Sequence, residues 1–376
     1  MDRDAIELSD AYEILGIDPV SQEVVETSDS INIFLGRIHQ ESLTLAKAII
    51  LALESTSYNV NIVLVDIRNL GRYAFDGQKF HICRYPDRFH YVQFRKIGNA
   101  VTSGDSFGFQ EYVEDKFLTG IILRMNGIKV PGELVFKGRH NKAGIHKESL
   151  KQADRLFGSN QFIVLKPSVG ECGNGVQMLS RDDIKTDFYD KHIRGKDTIL
   201  LQEKIDSYPI VIDGIRKDWN LRVLVTFDFE TKKYIVVGMI GRIGDDGKPI
   251  NISKSAEYIS FEEISKLAGW TEKQCKQIEQ DIIDITIKSV TVIVDRVSDN
   301  ETNFDLLANH QTLAGVDIIV NKSLEPIVIE VNSANSGGLY KLMKYKGIEA
   351  ITPIAHSIIL KSFIAQQYIE KEDKKV

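Results

Sequence analysis

Two short apolar runs, Gly315–Val320 (GVDIIV) and Pro326–Val331 (PIVIEV), constrain this chain most. Each carries one acid, and Asn321-Lys322-Ser323-Leu324-Glu325 separates them. Runs of this length and β-branched content, joined by a polar turn, read as an antiparallel hairpin. Glu330 and Asn332 are two apart, so in a strand both point to one face, and pairing across the turn brings Asp317 close to it. Charged strand residues often face solvent. Here the neighbours are Ile318, Ile319, Val328, Ile329 and Val331, and an acid among such residues is costly unless paired or coordinated. Two carboxylates and an amide oxygen are hard donors suited to Mg²⁺, which binds phosphates on its open side.

Upstream, the stretches Asn220–Phe229 and Lys233–Ile243 read as further strands, with a turn at Asp228–Thr231. Arg222 and Arg242 each interrupt one of them. An arginine in such a place serves a structural ion pair or a phosphate, since its guanidinium is forked and always charged.

Further upstream, LKPSVGECGNGV (Leu165–Val176) ends an apolar run in Lys166 and brings Gly170, Gly173 and Gly175 together. Glycines let backbone N–H groups approach phosphate oxygens. The spacing of Gly170 and Gly175 fits a Walker A loop, but Val176-Gln177 stand where Lys-Ser/Thr is required. A dinucleotide fingerprint fails as well, because Met178 occupies its last glycine position. A phosphate-cradling loop and a hairpin tip both remain open from these residues alone. Cys172 has no histidine beside it to lower its pKa, which disfavours a reactive thiol.

Organisation follows from periodicity. Ile31–Leu35, a Gly36 turn, a helical pattern through Leu43, Ala46, Ile49 and Leu53, and Val60–Val65 form a βαβ unit and imply a parallel pair. Helices are expected over Glu114–Asn126, around 182–193, over Glu262–Val294 and across 339–371, and strands over 162–181 and Ile199–Ile205. At 376 residues the chain divides into two or three packed units. A net charge of −6 argues against a dedicated nucleic-acid binder. Three scattered cysteines fit a reducing compartment and neither a disulfide framework nor a zinc site. The polar start MDRDAIELSD lacks a secretory pattern, and the apolar stretch Leu43–Leu53 is too short to span a bilayer. A cytoplasmic protein without membrane segments is expected.

Taken in order, Asp115-Lys116, Lys166-Pro167 with its three glycines, Leu201-Gln202-Glu203-Lys204-Ile205, Asn220-Leu221-Arg222, Arg242, Asp317 and Glu330-Val331-Asn332 resemble the ATP-grasp superfamily from about residue 115 to 340. The resemblance implies an α/β and α+β chain: a Rossmann-like pre-ATP-grasp domain over 1–114, a central lobe with the phosphate lid over 115–200, and a C-terminal lobe with the metal site over 201–370. It implies ATP and Mg²⁺ (or Mn²⁺) as cofactors. Lys116 and Lys166 would contact phosphates, with Gly170, Gly173 and Gly175 folding over them. Gln202, Glu203, Lys204 and Ile205 would meet adenine through the backbone, with Glu203 or a nearby acid reaching the ribose. Arg222, Arg242 and Lys166 would be the catalytic cations, and Asp317, Glu330 and Asn332 the metal ligands.

The implied chemistry is ligation, in which a carboxylate becomes an acyl-phosphate and an amine displaces the phosphate. The partners are small-molecule substrates, an amino acid or peptide among them, and a homodimer is compatible with the pattern. A small-molecule kinase and a non-catalytic nucleotide-binding protein are the alternatives. Two departures stand out. Asn220 replaces an acid common in relatives, and Asn251–Ala256 lacks the Gly-Gly pair found after the second arginine in peptide-forming members. The loop Ser333–Gly338 could bind substrate through backbone N–H groups or cap the following helix. The aromatic, Arg-rich segment 72–97 reads equally as a recognition segment or as a surface or dimer patch.

Overall fold

An antiparallel sheet of six strands forms the centre of the computed structural model, which describes residues 31–36, 40–54, 60–65, 107–137, 152–156, 158, 161–170, 174–184, 188–193, 198–245, 256–298, 310–333 and 337–373. The N-terminal βαβ unit is present as read: β1 (Ile31–Gly36), α1 (Gln40–Glu54) and β2 (Val60–Val65), with β1 and β2 parallel. The rest of the expected Rossmann-like domain, including segment 72–97, lies outside the described residues.

Two short helices follow, α2 (Phe107–Glu114) and α3 (Lys116–Met125). Periodicity alone joins Glu114–Asn126 into one helix, but Asp115 breaks it. Its backbone is extended, and its carboxylate accepts the N–H groups of Phe117 (3.0 Å) and Leu118 (3.2 Å). This is the geometry that makes Asp a strong helix N-cap.

A smaller antiparallel sheet holds β3 (Glu133–Lys137), β4 (Phe162–Pro167), β5 (Gln177–Ser180) and β6 (Thr198–Glu203), in the order β3-β6-β4-β5. The helix expected over 182–193 reduces to single turns at Arg181–Asp183 and Tyr189–Ile193. The Asp183 carboxylate accepts from Ser180 N and Oγ (2.9 and 2.7 Å), closing the first turn on itself.

The larger sheet contains β7 (Ile210–Ile212), β8 (Ile215–Asp228), β9 (Lys233–Asp245), β10 (Glu257–Ile259), β11 (Ala314–Val320) and β12 (Pro326–Asn332). Its main path runs β10-β9-β8-β11-β12. Helices α4 (Phe261–Leu267) and α5 (Glu272–Ser298) replace the single helix expected over 262–294. Gly269, with a left-handed φ of 68°, ends α4, and Trp270 turns inward to pack on Tyr208 and Trp219. Helices α6 (Leu339–Lys346) and α7 (Thr352–Asp373) close the described chain.

The near-continuous apolar reading of β8 has a simple cause: both faces of the larger sheet are covered. Trp219, Leu221, Val223, Val225 and Phe227 join one core with Ile278, Ile282, Val290 and Ile293 of α5. Leu224 faces a second core built from Ala46 and Ile49 of α1, Leu342 of α6, and Ile354 and Ile358 of α7. Asn220 and Arg222 share the Leu224 face by strand alternation, so polar groups emerge where the second core ends.

Gly241 lies on β9 beside β10, and a methyl group there would sit 2.6 Å from Ile259 Cγ2 and 2.7 Å from the Ile259 carbonyl oxygen. The carbonyl cannot move without disturbing the ladder. Gly241→Ala is expected to destabilise the protein by about 1–3 kcal/mol, read by denaturant unfolding; an unchanged midpoint would contradict this packing.

Candidate active site

Strand register assembles the site. Arg222 on β8 lies directly opposite Asp317 on β11, Asp317 opposite Glu330 on β12, and Asn220 opposite Arg242 on β9. Directly paired residues share a sheet face, so these groups form one polar patch. A slip of one residue in any of these strands would send its members into the opposite core.

Asp317 is the centre of the patch. Arg222 grips it with two bonds, Nε to Oδ1 at 2.5 Å and Nη2 to Oδ2 at 2.9 Å. Arg242 Nη2 lies 2.5 Å from Asp317 Oδ1 as an ion pair, off the N–H direction of a hydrogen bond. Arg242 Nε donates to Asn220 Oδ1 at 2.9 Å. Asn220 therefore orients the second guanidinium without adding the charge that an acid would. Asp317 is buried, and the side chains of Arg222 and Arg242 are largely covered, at 14% and 11% exposure. Burial alone would raise the Asp317 pKa, but Arg222 and Arg242 hold its carboxyl well below the usual carboxylate range.

Lys116, at the start of α3, links two parts of the site. Its Nζ donates to Gly170 O (2.5 Å) and lies 3.2 Å from Glu330 Oε1. The base of the glycine loop is fastened at the same helix end. Lys116 N donates to Ser168 O (2.9 Å), and Ser168 Oγ donates to Asp115 Oδ1 (2.5 Å). Gly175 has a φ of 75°, and a Cβ there would meet Pro167 Cγ at 2.9 Å, so the loop folds back closely on its own strand. Gly173 and Cys172 lie outside the described residues.

Lys166 shows the most telling environment. It sits on β4, 6% exposed, and no hydrogen bond or ion pair joins its ammonium to another group among the described residues. Burial, and secondarily the like charge of Lys116, press its pKa down, while Glu330, Glu133 and Asp317 act in the other direction. A buried ammonium without a partner is costly, and an incoming anion would relieve that cost.

The other expected nucleotide residues are near but differently used. Gln202 directs its amide toward Glu133 Oε2 (3.5 Å), and the Glu203 carboxylate accepts the Gly132 N–H (3.2 Å). The Lys204 ammonium is held by Asp206 and Asp218. Ile205 has no backbone hydrogen bond among the described residues. The side chains of 202–204 thus serve the protein, leaving the backbone edge at Ile205 as the open feature.

Glu41 was invisible to motif reading. From the first turn of α1 it accepts the N–H groups of Gly338 (3.1 Å) and Tyr340 (3.1 Å), capping α6 from 297 residues away. Gly338 makes this possible with a φ of 107°, and a Cβ there would meet Ile240 Cδ1 at 2.8 Å. Burial raises the Glu41 pKa, against the opposing effects of these N–H bonds and of Arg222. Gly338, the last residue of the Ser333–Gly338 loop, is thus tied to the N-terminal helix, and Glu41 supplies the acceptor for the Gly338 and Tyr340 N–H groups at the start of α6.

Asp317, Glu330 and Asn332 are oxygen donors of the type a divalent cation takes, and a cation there would compete with Arg222 and Arg242 for Asp317 and with Lys116 for Glu330. Asn332 Nδ2 donates weakly to Gly315 O (3.4 Å), which leaves its Oδ1 to coordinate. Among the described residues no cluster of three or more His, Cys, Asp or Glu side chains is placed to hold a metal; the set here is two carboxylates and an amide. Among them, too, no helix is long and apolar enough to cross a membrane.

The depressed Asp317 pKa fixes a sign. Its ionised form contributes stability that is fully present above its ordinary value of 3.8 and is lost as pH falls through the lower folded value. Asp317→Asn leaves two buried guanidiniums facing a neutral group, with an expected loss of about 3–5 kcal/mol in urea unfolding at neutral pH. A loss below about 1 kcal/mol would mean the triad is solvated.

Comparison with known proteins bears on the fold. No curated protein matches the sequence. The Tubulin-tyrosine ligase family matches residues 255–336, the stretch that carries α4, α5 and the β11–β12 hairpin. The D-alanine–D-alanine ligase structure from Bacillus anthracis is 14% identical at a TM-score of 0.53, over 90% of this chain and 99% of that one. The corresponding ligase from Coxiella burnetii is 14% identical at 0.52, over 92% and 98%. The VanG D-Ala:D-Ser ligase from Enterococcus faecalis is 13% identical at 0.51, over 90% and 100%. These likenesses show that the chain shares its fold with these ligase structures.

Proposed function

We propose that this protein is an ATP- and Mg²⁺-dependent ligase that activates a carboxylate as an acyl-phosphate and joins it to an amine. The observation that carries this reading is Lys166: a buried lysine whose ammonium has no hydrogen bond or ion pair among the described residues and feels the charges of Lys116, Glu330 and Asp317. Such a cluster is suited to a polyphosphate. The three structures named above and the matched family are called ligases, and the names of their substrates include amino acids. This supports an amino acid or peptide as one partner.

In this reading Lys116 and Lys166 bind the phosphates, and the Gly170–Gly175 loop covers them. The Ile205 backbone edge receives the base. Asp317, Glu330 and Asn332 hold Mg²⁺, which when bound neutralises phosphate charge and aligns the transferring group. A carboxylate oxygen attacks the γ-phosphorus as the bond to ADP breaks. Arg222 and Arg242, already oriented by Asp317 and Asn220, face the charge that builds on the phosphoryl oxygens. The amine nitrogen then attacks the acyl carbon, phosphate leaves, and the amine loses a proton. No side-chain nucleophile is needed.

The test is a panel of carboxylates and amines scored for ADP and phosphate release, with product mass. Amine-dependent phosphate release supports ligation, whereas a stable phosphorylated product points to a kinase. Binding of ATP without phosphate release from any substrate pool leaves a non-catalytic nucleotide binder. In an active pair, Glu330→Gln is expected to lower turnover by about 100-fold or more with the fold retained. Activity equal to the parent protein would remove Glu330 from the metal site.

A further inference from the structure

The chain crosses from the smaller to the larger sheet with almost no slack. At the end of β6, Glu203 N donates to Gly132 O (2.8 Å), and the Glu203 carboxylate accepts Gly132 N (3.2 Å). From Ser207 onward the chain belongs to the larger sheet. Ser207 pairs with Asn321, Tyr208 N donates to Val320 O (2.7 Å), and Trp219 Nε1 donates to Tyr208 O (2.7 Å). Only Lys204, Ile205 and Asp206 lie between the two sets of anchors.

A chain of alternating charges spans this strap. Lys322 Nζ lies 2.7 Å from Asp206 Oδ2, Asp206 Oδ1 is 2.8 Å from Lys204 Nζ, and Lys204 Nζ is 3.0 Å from Asp218 Oδ2. Asp218 Oδ1 in turn accepts from Ser207 Oγ (3.2 Å), which itself accepts the Trp219 N–H (3.3 Å). Burial opposes the Lys204 charge, yet Asp206 and Asp218 keep its pKa above the ordinary lysine value.

Two carboxylates hold Lys204. The two have different effects. Asp206 ties the lysine to its own strap across Ile205, and Asp218 ties both to β8. The backbone of Ile205, unpaired among the described residues, is thus held by charges on both sides.

We propose that Lys204, Asp206 and Asp218 are positioning residues that set the Ile205 backbone edge to read the base of a bound nucleotide. This deepens the proposed function and rests on it. A purely structural cluster would alter stability, or the binding of every ligand alike. A base-positioning cluster affects ligands that carry a base and spares those that do not.

The experiment titrates the full chain with ATP and with inorganic tripolyphosphate, each with Mg²⁺, by calorimetry. Lys204→Met is expected to weaken ATP about tenfold or more and to leave tripolyphosphate within about twofold. Lys204→Arg, which can reach both carboxylates, restores ATP affinity to within about threefold. Equal loss for both ligands, or loss for neither, overturns the proposal. Should Lys204→Met fail to fold, the milder Asp206→Asn must still show a loss confined to ATP, and its absence overturns the proposal equally. If the parent protein binds neither ligand, the nucleotide site itself falls. If it binds both and the variants lose no selectivity, only the positioning role falls.

Discussion

The polar patch shared by β8, β9, β11 and β12 is organised around one carboxylate. Asp317 accepts Arg222 along two bonds and pairs with Arg242, which Asn220 steadies from the neighbouring strand. Taking three charges out of water is expensive, and the mutual attraction offsets that cost only with close geometry. The ladder supplies that geometry: the three strands pair so that the groups meet without searching. The triad thus demands the register, and the register, by placing Leu224 and Trp219 on opposite faces, demands the two cores.

Lys116 plays a similar part between the sheets. It bridges the Gly170 carbonyl and Glu330, so the glycine loop and the carboxylate hairpin are joined through one ammonium. Lys166 stands beside this bridge and makes no bond of its own among the described residues. A paired lysine and one without a bond among the described residues thus both stand near the base of the same loop.

Much of this was legible in the sequence, and the limits have physical causes. The hairpin acids were readable because an acid inside Ile- and Val-rich strands has few explanations. Arg222 and Arg242 stood out for the same reason, although their structural and catalytic readings could not be separated, and the structure shows the ion pair that motivates the first. Helix ends at Asp115 and Gly269 were missed because apolar periodicity continues through them, and local capping chemistry decided otherwise. The Lys204 cluster could not be seen because Asp218 and Lys322 come from other strands and turns. Glu41 gave no signal at all: one acid at the start of a helix is ordinary, and its meaning depends on a partner at the far end of the chain.

That distance has a consequence for how the molecule is made. Glu41 and Gly338 are separated by 297 residues, so the cap on α6 closes one of the longest loops the chain can form. Closing a flexible loop of that size costs about 5 kcal/mol in chain entropy before any constant term. One carboxylate does not offset that cost; the apolar contact of α1 with α6 and α7 shares it. On the ribosome, α1 emerges long before α6 and α7, so the core that holds Leu43, Leu45 and Ile49 is completed only when those last helices have been synthesised. Completion of this core is therefore a late event in synthesis, because it needs the last two helices of the described chain.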